Sequence, residues 1–240
     1  MKRIFLTGAT GQIGWELART LMAMGQVVIP ARDRYDLARP ESLRPLLDAV
    51  RPDVIVNAGA YTAVDKAEEE PERVLAINAA APAELAMAAR RHNALLVHYS
   101  TDYVFDGRKP GPYTEDDAAC PVSTYGQSKL GGEEVVRASG ADYVIFRTSW
   151  VYSTRGKNFL KTILRLARER ELDAVAAGGL ARPVPAHDER EGRERQVEFL
   201  VAEEVTVRGG FQRFHAFLLL VLGIPRVSAL GAFGLWVQLV

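Results

Sequence analysis

The stretch KRIFLTGATGQIGWELARTL, residues 2–21, decides how the rest of the chain is read. An apolar run, KRIFLT, gives way to three glycines, Gly8, Gly11 and Gly14, and then to WELARTL, whose apolar residues recur at helical spacing. Strand, glycine-rich turn and helix in that order form the context in which such glycines bind phosphate. They permit a tight turn and close backbone approach, so that the N–H groups and dipole of the helix N-terminus can hold a pyrophosphate. The spacing is G-x-x-G-x-x-G rather than G-x-G-x-x-G. It reads as a dinucleotide site.

The same alternation continues outward. QVVIPA, DVIVNAG, LLVHYSTD and DYVIFRTSWVY read as strands, separated by ESLRPLLDAV, EEPERVLAINAAAPAELAMAARRHN and YGQSKLGGEEVVRA, which read as helices, the second with a kink at Pro82. Strands alternating with crossover helices predict an α/β fold, a doubly wound parallel sheet of Rossmann type. KNFLKTILRLARERE reads as one more amphipathic helix. Residues 1–172 then form the nucleotide-binding domain. Residues 173–240 form a different segment, a Pro-containing charged linker followed by the apolar tail AFLLLVLGIPRVSALGAFGLWVQLV. Gly223, Pro225 and Arg226 cut that tail into pieces shorter than the roughly 20 apolar residues of a membrane span, so core or interface burial is expected and no membrane partner.

Thirty basic residues balance thirty acidic ones, which gives no sign of a nucleic-acid partner. The single Cys120 excludes an internal disulfide framework and fits a reducing cytoplasm; it reads as inert, with nothing nearby to activate a thiol. A site selective for NAD presents an acid at the end of the second strand, some 20 residues past the glycines. Here that strand reads Pro30-Ala31-Arg32-Asp33. Ala31 stands where a carboxylate is expected and Arg32 follows, which suits a 2′-phosphate and favours NADPH. Asp33 would serve NADH only if the strand ran longer.

Tyr125 and Lys129 are four apart at the start of a helix and so share one face. An ammonium beside a phenol stabilises the phenolate and is expected to lower the tyrosine's pKa, which makes a general acid. Upstream, the strand LLVHY ends in Ser100, Thr101 and Asp102, at the carboxyl edge where open α/β sheets bind ligands. Glycine turn, hydroxyl-bearing strand end and Tyr-x-x-x-Lys, in that order, resemble the extended short-chain dehydrogenase/reductase superfamily. Thr101, Tyr125 and Lys129 are the candidate catalytic residues.

A narrower likeness lies in GATGQIGWEL, RPDVIVNAGAYTAVDKAE, INAAAPAELA, VHYSTDYVFDG, YGQSKLGGEE, FRTSWVY and NFLKTILRLARER. In wording and order these are similar to the dTDP-4-dehydrorhamnose reductase family, over about residues 1–172. The resemblance implies reduction of the 4-keto group of dTDP-4-dehydro-6-deoxy-L-mannose in the cytoplasm. It implies cofactor contacts at Gly8, Gly11, Gln12, Ile13, Gly14, Arg32, Asp36, Leu37, Ala58, Gly59 and Ala60, with Tyr125 and Lys129, and places Asn57 along the same strand end. It implies a substrate pocket bordered by Thr62, Val64, Asp65, Thr101, Asp102 and Trp150. Glu16 matches a position that joins a metal-assisted dimer contact in some members; no metal is expected here, and a homodimer is left open.

After Leu172 the family's D-Q-x-G-x-P-T-like motif and its smaller substrate domain are not legible, which reads as a frameshift, a truncation or divergence. Two rivals stand beside the reductase reading. One is an idle cofactor-binding regulatory subunit, against which the full Thr101, Tyr125, Lys129 set argues. The other is a sugar-nucleotide epimerase or dehydratase, although dehydratases carry an acidic pair where this chain has Asp102-Tyr103.

Overall fold

The computed structural model describes residues 1–169, 206–207 and 236–239. Strand β1 (Lys2–Thr7) leads through the glycine turn into α1 (Gln12–Thr20), followed by β2 (Gly25–Val28), α2 (Leu43–Val50) and β3 (Val54–Asn57). Two short helices, α3 (Val64–Ala67) and α4 (Pro71–Leu75), precede α5 (Ala81–His92) and β4 (Leu95–Thr101). Then come α6 (Thr124–Ala138), β5 (Asp142–Tyr152) and α7 (Phe159–Glu169). Strands β6 (Thr206–Val207) and β7 (Trp236–Leu239) follow.

Five strands lie side by side in the order β2-β1-β3-β4-β5, all parallel. After β2 the chain crosses β1 and starts β3 on its other side, which opens a crevice at the carboxyl ends of β1 and β3. The glycine turn stands at that crevice. β6 and β7 pair with β5 antiparallel. The parallel sheet is as the sequence suggests, but these two strands fall inside the stretch read as linker and apolar tail. The remainder of 170–240, and with it the expectation of an aberrant second domain, lies outside the described residues.

The parity of side chains along each strand makes a two-sided core. Phe5, Ile55, Leu96 and Ile145 face α2, α5 and α6 through Leu43, Leu47, Leu85 and Val136. Ile4, Leu6, Val56, Val97, Val144 and Phe146 belong to the other face, with Leu17 and Leu21. Each fully buried side chain of this kind contributes about 1.5–3 kcal/mol. Because both faces are covered, the strands read as continuous apolar runs.

The helix expected to kink at Pro82 breaks differently. A π-turn, Ala76–Ala80, separates α4 from α5, and Pro82 sits in the first turn of α5. Proline lacks an N–H, and its ring crowds the carbonyl four residues back, here Asn78; a widened turn relieves that crowding ahead of the proline. The Asn78 carbonyl faces α6, where a Cβ at Gly132 would lie 2.2 Å from it. Only a glycine lets α6 pack this closely, and the contact fixes Asn78 beside the helix that carries Tyr125.

Candidate active site

Gly8 adopts φ +71°, and a Cβ there would lie 2.4 Å from the backbone of Ala58 and Gly59. A Cβ at Gly14 would stand 2.1 Å from the Gly8 carbonyl oxygen. At Gly11 it would meet only that oxygen, at 3.3 Å. The first turn of α1 has neither a side-chain cap nor an acidic residue, so its N–H groups and positive dipole end are available to an anion. These features fit a dinucleotide pyrophosphate. The Gln12 side chain accepts from Asn158 at 2.9 Å, and Ile13 packs into the core, so both face the turn through their backbone N–H groups. Ala58 and Gly59 close the crevice from β3, with Ala60 next, and Leu37 reaches across so that a Cβ at Gly59 would meet its Cδ1 at 2.6 Å.

β2 ends at Val28, earlier than the sequence suggests, and Arg32 and Asp33 are exposed on a turn closed by Arg34 N–H donating to the Ala31 carbonyl at 2.9 Å. The Asp36 carboxylate accepts from the Ala38 N–H at 2.9 Å and lies 3.6 Å from Arg39. Its charge is already engaged within its own loop.

α6 begins under two caps. Ser123 Oγ accepts from the Gly126 N–H at 3.1 Å, and the Glu68 carboxylate accepts from the Thr124 N–H at 2.8 Å. These bonds satisfy N–H groups that a helix end leaves open, and they set Tyr125 in the first turn. Tyr125 (8% exposed), Lys129 (2%) and Thr101 (5%) come together at the carboxyl end of β4. The expected lowering of the Tyr125 pKa is not found. Burial pushes its phenol up to about 12, against a smaller opposing effect of the hydrogen bond with Thr101. Lys129 Nζ donates to the Tyr99 carbonyl at 2.6 Å, and burial pulls this ammonium down to about 8, with Glu133 opposing. Tyr125 therefore holds its proton at neutral pH, and Lys129 loses its own not far above it.

Around this trio, Tyr61 and Val64 pack on Tyr125 with Ala67 and Val74. Thr62 and Asp65 are exposed on the same segment. Asp102 accepts from the Thr101 hydroxyl at 3.0 Å, and burial raises its carboxyl above the usual carboxylate range. Trp150, 46% exposed, has φ +51° and meets Phe159 edge to face at 4.8 Å.

Several functional groups were hidden from sequence reasoning. Asn78 donates to the Tyr61 carbonyl (3.1 Å) and Ser128 Oγ (3.0 Å), and accepts from the Tyr61 N–H (2.9 Å). Ser128 in turn donates to the Tyr125 carbonyl at 2.7 Å. Asn78 therefore ties the loop after β3 to α6. Asn78→Ala is expected to destabilise the fold by about 2–3 kcal/mol, because it strands buried backbone groups. Urea unfolding would measure the loss.

Asn57, expected along the cofactor, spends its side chain inside the sheet: it accepts from Thr7 Oγ1 at 2.7 Å and pairs with His98 Nδ1 at 3.0 Å. Ser100, expected over the ligand, donates instead to Glu133 at 2.5 Å. Glu16 lies 3.7 Å from Arg19, and among the described residues no group of His, Cys, Asp and Glu is arranged to hold a metal. Among the described residues no helix is long and apolar enough to cross a membrane.

A family model described as RmlD substrate binding domain matches residues 1–197, past the point near residue 172 where the motif-level likeness ends. A dTDP-4-dehydrorhamnose reductase of Aggregatibacter actinomycetemcomitans is 38% identical over 216 residues, 89% of this chain and 73% of that protein. The chain belongs to the dTDP-4-dehydrorhamnose reductase family. The Burkholderia thailandensis dTDP-4-dehydrorhamnose reductase is 52% identical over 190 residues, 79% of this chain and 64% of that one. The chain thus spans under two thirds of the length of this reductase. Among solved structures, the Bacillus anthracis dTDP-4-dehydrorhamnose reductase in complex with NADP superposes with a TM-score of 0.67 at 37% identity, covering 71% of this chain and 61% of that one. The stretch that the family model matches, residues 1–197, holds the glycine turn and Thr101, Tyr125 and Lys129.

Proposed function

We propose that this chain reduces the 4-keto group of dTDP-4-dehydro-6-deoxy-L-mannose to the alcohol of dTDP-L-rhamnose, using NADPH. The convergence of Thr101, Tyr125 and Lys129 at the carboxyl edge of the sheet that also carries the glycine turn supports the reading. The glycine turn and the α1 N-terminus would hold the pyrophosphate, and exposed Arg32 suits a 2′-phosphate, with the short β2 and the engaged Asp36 weighing against NADH. Bound NADPH supplies a hydride to C4. Tyr125 gives its phenolic proton to the C4 oxygen, and because that proton is held up to a pKa of about 12, the phenol stays protonated and neutral across the working range. Thr101, by rotating its hydroxyl from Asp102, would donate to the carbonyl oxygen and orient it toward Tyr125. Lys129 supplies positive charge beside the phenolate that proton transfer leaves. Thr62, Val64, Asp65, Asp102 and Trp150 border the sugar nucleotide. An exposed, unpaired Cys120 fits the cytoplasm.

The test is turnover of the 4-keto sugar nucleotide with NADPH, followed by absorbance and product analysis across pH. A reductase consumes NADPH mole for mole. An epimerase or dehydratase returns its cofactor unchanged, and a regulatory subunit does neither; either result ends the proposal. Lys129, lowered to about 8 by burial, carries its charge below that pH and loses it above. kcat/KM is therefore expected to fall as pH rises through about 8, about tenfold for each further unit.

A further inference from the structure

Tyr125, Lys129, Glu133 and Arg137 follow one another at intervals of four along α6, one ladder on one face. Glu133 is fully buried, and every bond it makes is to a different element or the next turn. It accepts from Ser100 Oγ of β4 at 2.5 Å, from Arg147 of β5 through Nε at 3.0 Å and the terminal guanidinium nitrogen at 2.7 Å, and from Arg137 at 2.8 Å. Ser100 and Arg147 are opposite each other in the β4–β5 register, so two adjacent strands fasten one carboxylate. Arg147 also lies over the Phe105 ring at 4.8 Å, which fixes the guanidinium from its other side.

We propose that Glu133 is the positioning residue for Lys129, a buried carboxylate anchored by β4 and β5 that serves as the counter-charge to the ammonium without binding it. This rests on the reductase reading, in which Lys129 must stay charged. A buried ammonium with no counter-ion is unfavourable. A direct ion pair would satisfy the charge but would hold Nζ against the carboxylate and away from the reacting groups. Glu133 avoids that, because Ser100, Arg147 and Arg137 saturate its oxygens, and Lys129 donates instead to the Tyr99 carbonyl. Tyr125, His98 and Glu133 face Lys129 among the described residues, and burial keeps the Tyr125 phenol neutral at working pH. His98 of β4 accepts at Nδ1 from Asn57, and its burial keeps it neutral; Glu133 of α6 remains as the charge that raises the lysine's proton affinity. The nearby cations Arg147 of β5 and Arg137 of α6 are spent on Glu133 itself. Burial acts to raise the Glu133 carboxyl, but its bonds to Arg147 and the charges of Arg147 and Arg137 outweigh this and keep it ionised.

The experiment is a ¹⁵N NMR titration of the Lys129 Nζ in the full chain, in parallel with NADPH binding and the pH profile of turnover. Glu133→Gln should lower the Lys129 titration midpoint by about one pH unit, tenfold in proton affinity. kcat/KM should then drop about fivefold more at pH 8 than at pH 6, whereas a merely structural defect lowers it equally at every pH. Glu133→Asp should restore the midpoint. Because Glu133→Gln strands Arg147, the double variant Glu133→Gln with Arg147→Met removes both buried charges and should fold with a midpoint still lowered, by less than in the single variant because the guanidinium charge is gone too. A Lys129 midpoint unchanged in both variants overturns the proposal. A lowered midpoint in a chain whose wild type does not reduce the sugar nucleotide supports the Glu133–Lys129 coupling and counts against the proposed reaction alone.

Discussion

Tyr125→Phe is expected to lower kcat by about 10²–10⁴-fold, the usual range for loss of a positioned general acid, and to leave NADPH affinity within about twofold. The substitution removes one oxygen. The ring remains packed with Ala67 and Val74, and edge to face with Tyr103 at a centroid separation of 5.5 Å, so the α6 N-terminus and the loop after β3 keep their places. What is lost is the only proton that Thr101 and the helix aim together at the carboxyl end of β4. A phenol held up to about 12 is still far more acidic than the alcohol formed, so transfer from it is downhill while transfer from water is unassisted. Stopped-flow absorbance of the reduced nicotinamide would give kcat, and fluorescence titration the affinity. A variant retaining more than a tenth of wild-type kcat would remove Tyr125 from the chemistry.

The parts of this molecule legible in its sequence are those whose physics is local. A glycine turn announces itself through the residues that need it, and buried parallel strands announce themselves as β-branched apolar runs between helices of period 3.6. Hence the parallel sheet, the turn and the Tyr125–Lys129 face all follow from spacing. Non-local partners do not. Ser100 reads as a ligand-facing hydroxyl until β5 supplies Arg147 opposite it and α6 supplies Glu133. Asn57 reads as a cofactor contact until Thr7 and His98 flank it across three strands. A signal for Glu133 did exist: an acid four residues past Lys129, on the face the helix buries. The direction of the Tyr125 shift was missed for a related reason, since spacing places a lysine near a phenol but does not weigh that charge against burial. Nor does it tell that the ammonium will turn to the Tyr99 carbonyl.

These non-local bonds give the site its rigidity. Asn78 joins the loop after β3 to Ser128, and Ser128 bonds the Tyr125 carbonyl. Glu133 joins α6 to β4 and β5. Helix α6 is thus fastened at two levels, at Ser128 to the loop after β3 and at Glu133 to β4 and β5. Geometry held this way needs no further ordering when a ligand arrives, which is how fixed positioning lowers a barrier.

Gly14→Ala is expected to abolish NADPH binding, weakening it by more than about 100-fold, and to lower stability by more than about 3 kcal/mol. The reason is the 2.1 Å that would separate the new Cβ from the Gly8 carbonyl oxygen, with the Gly8 carbonyl carbon at 2.6 Å and the Ala9 Cα at 2.8 Å. All three are backbone atoms, so no rotamer can yield. The helix must move away from the turn by about an ångström, and the N–H groups that would grip the pyrophosphate move with it. Gly8 cannot follow, because its own backbone is wedged against Ala58 and Gly59. Gly11→Ala is the control: its Cβ meets a single atom at 3.3 Å, and binding should weaken by less than about tenfold. Calorimetric titration with NADPH and thermal unfolding of both variants separate the cases. Equal affinities would mean that the turn is only a structural bend. A large gap between Gly14→Ala and Gly11→Ala would show that binding depends on how closely α1 approaches the turn rather than on the mere presence of glycine.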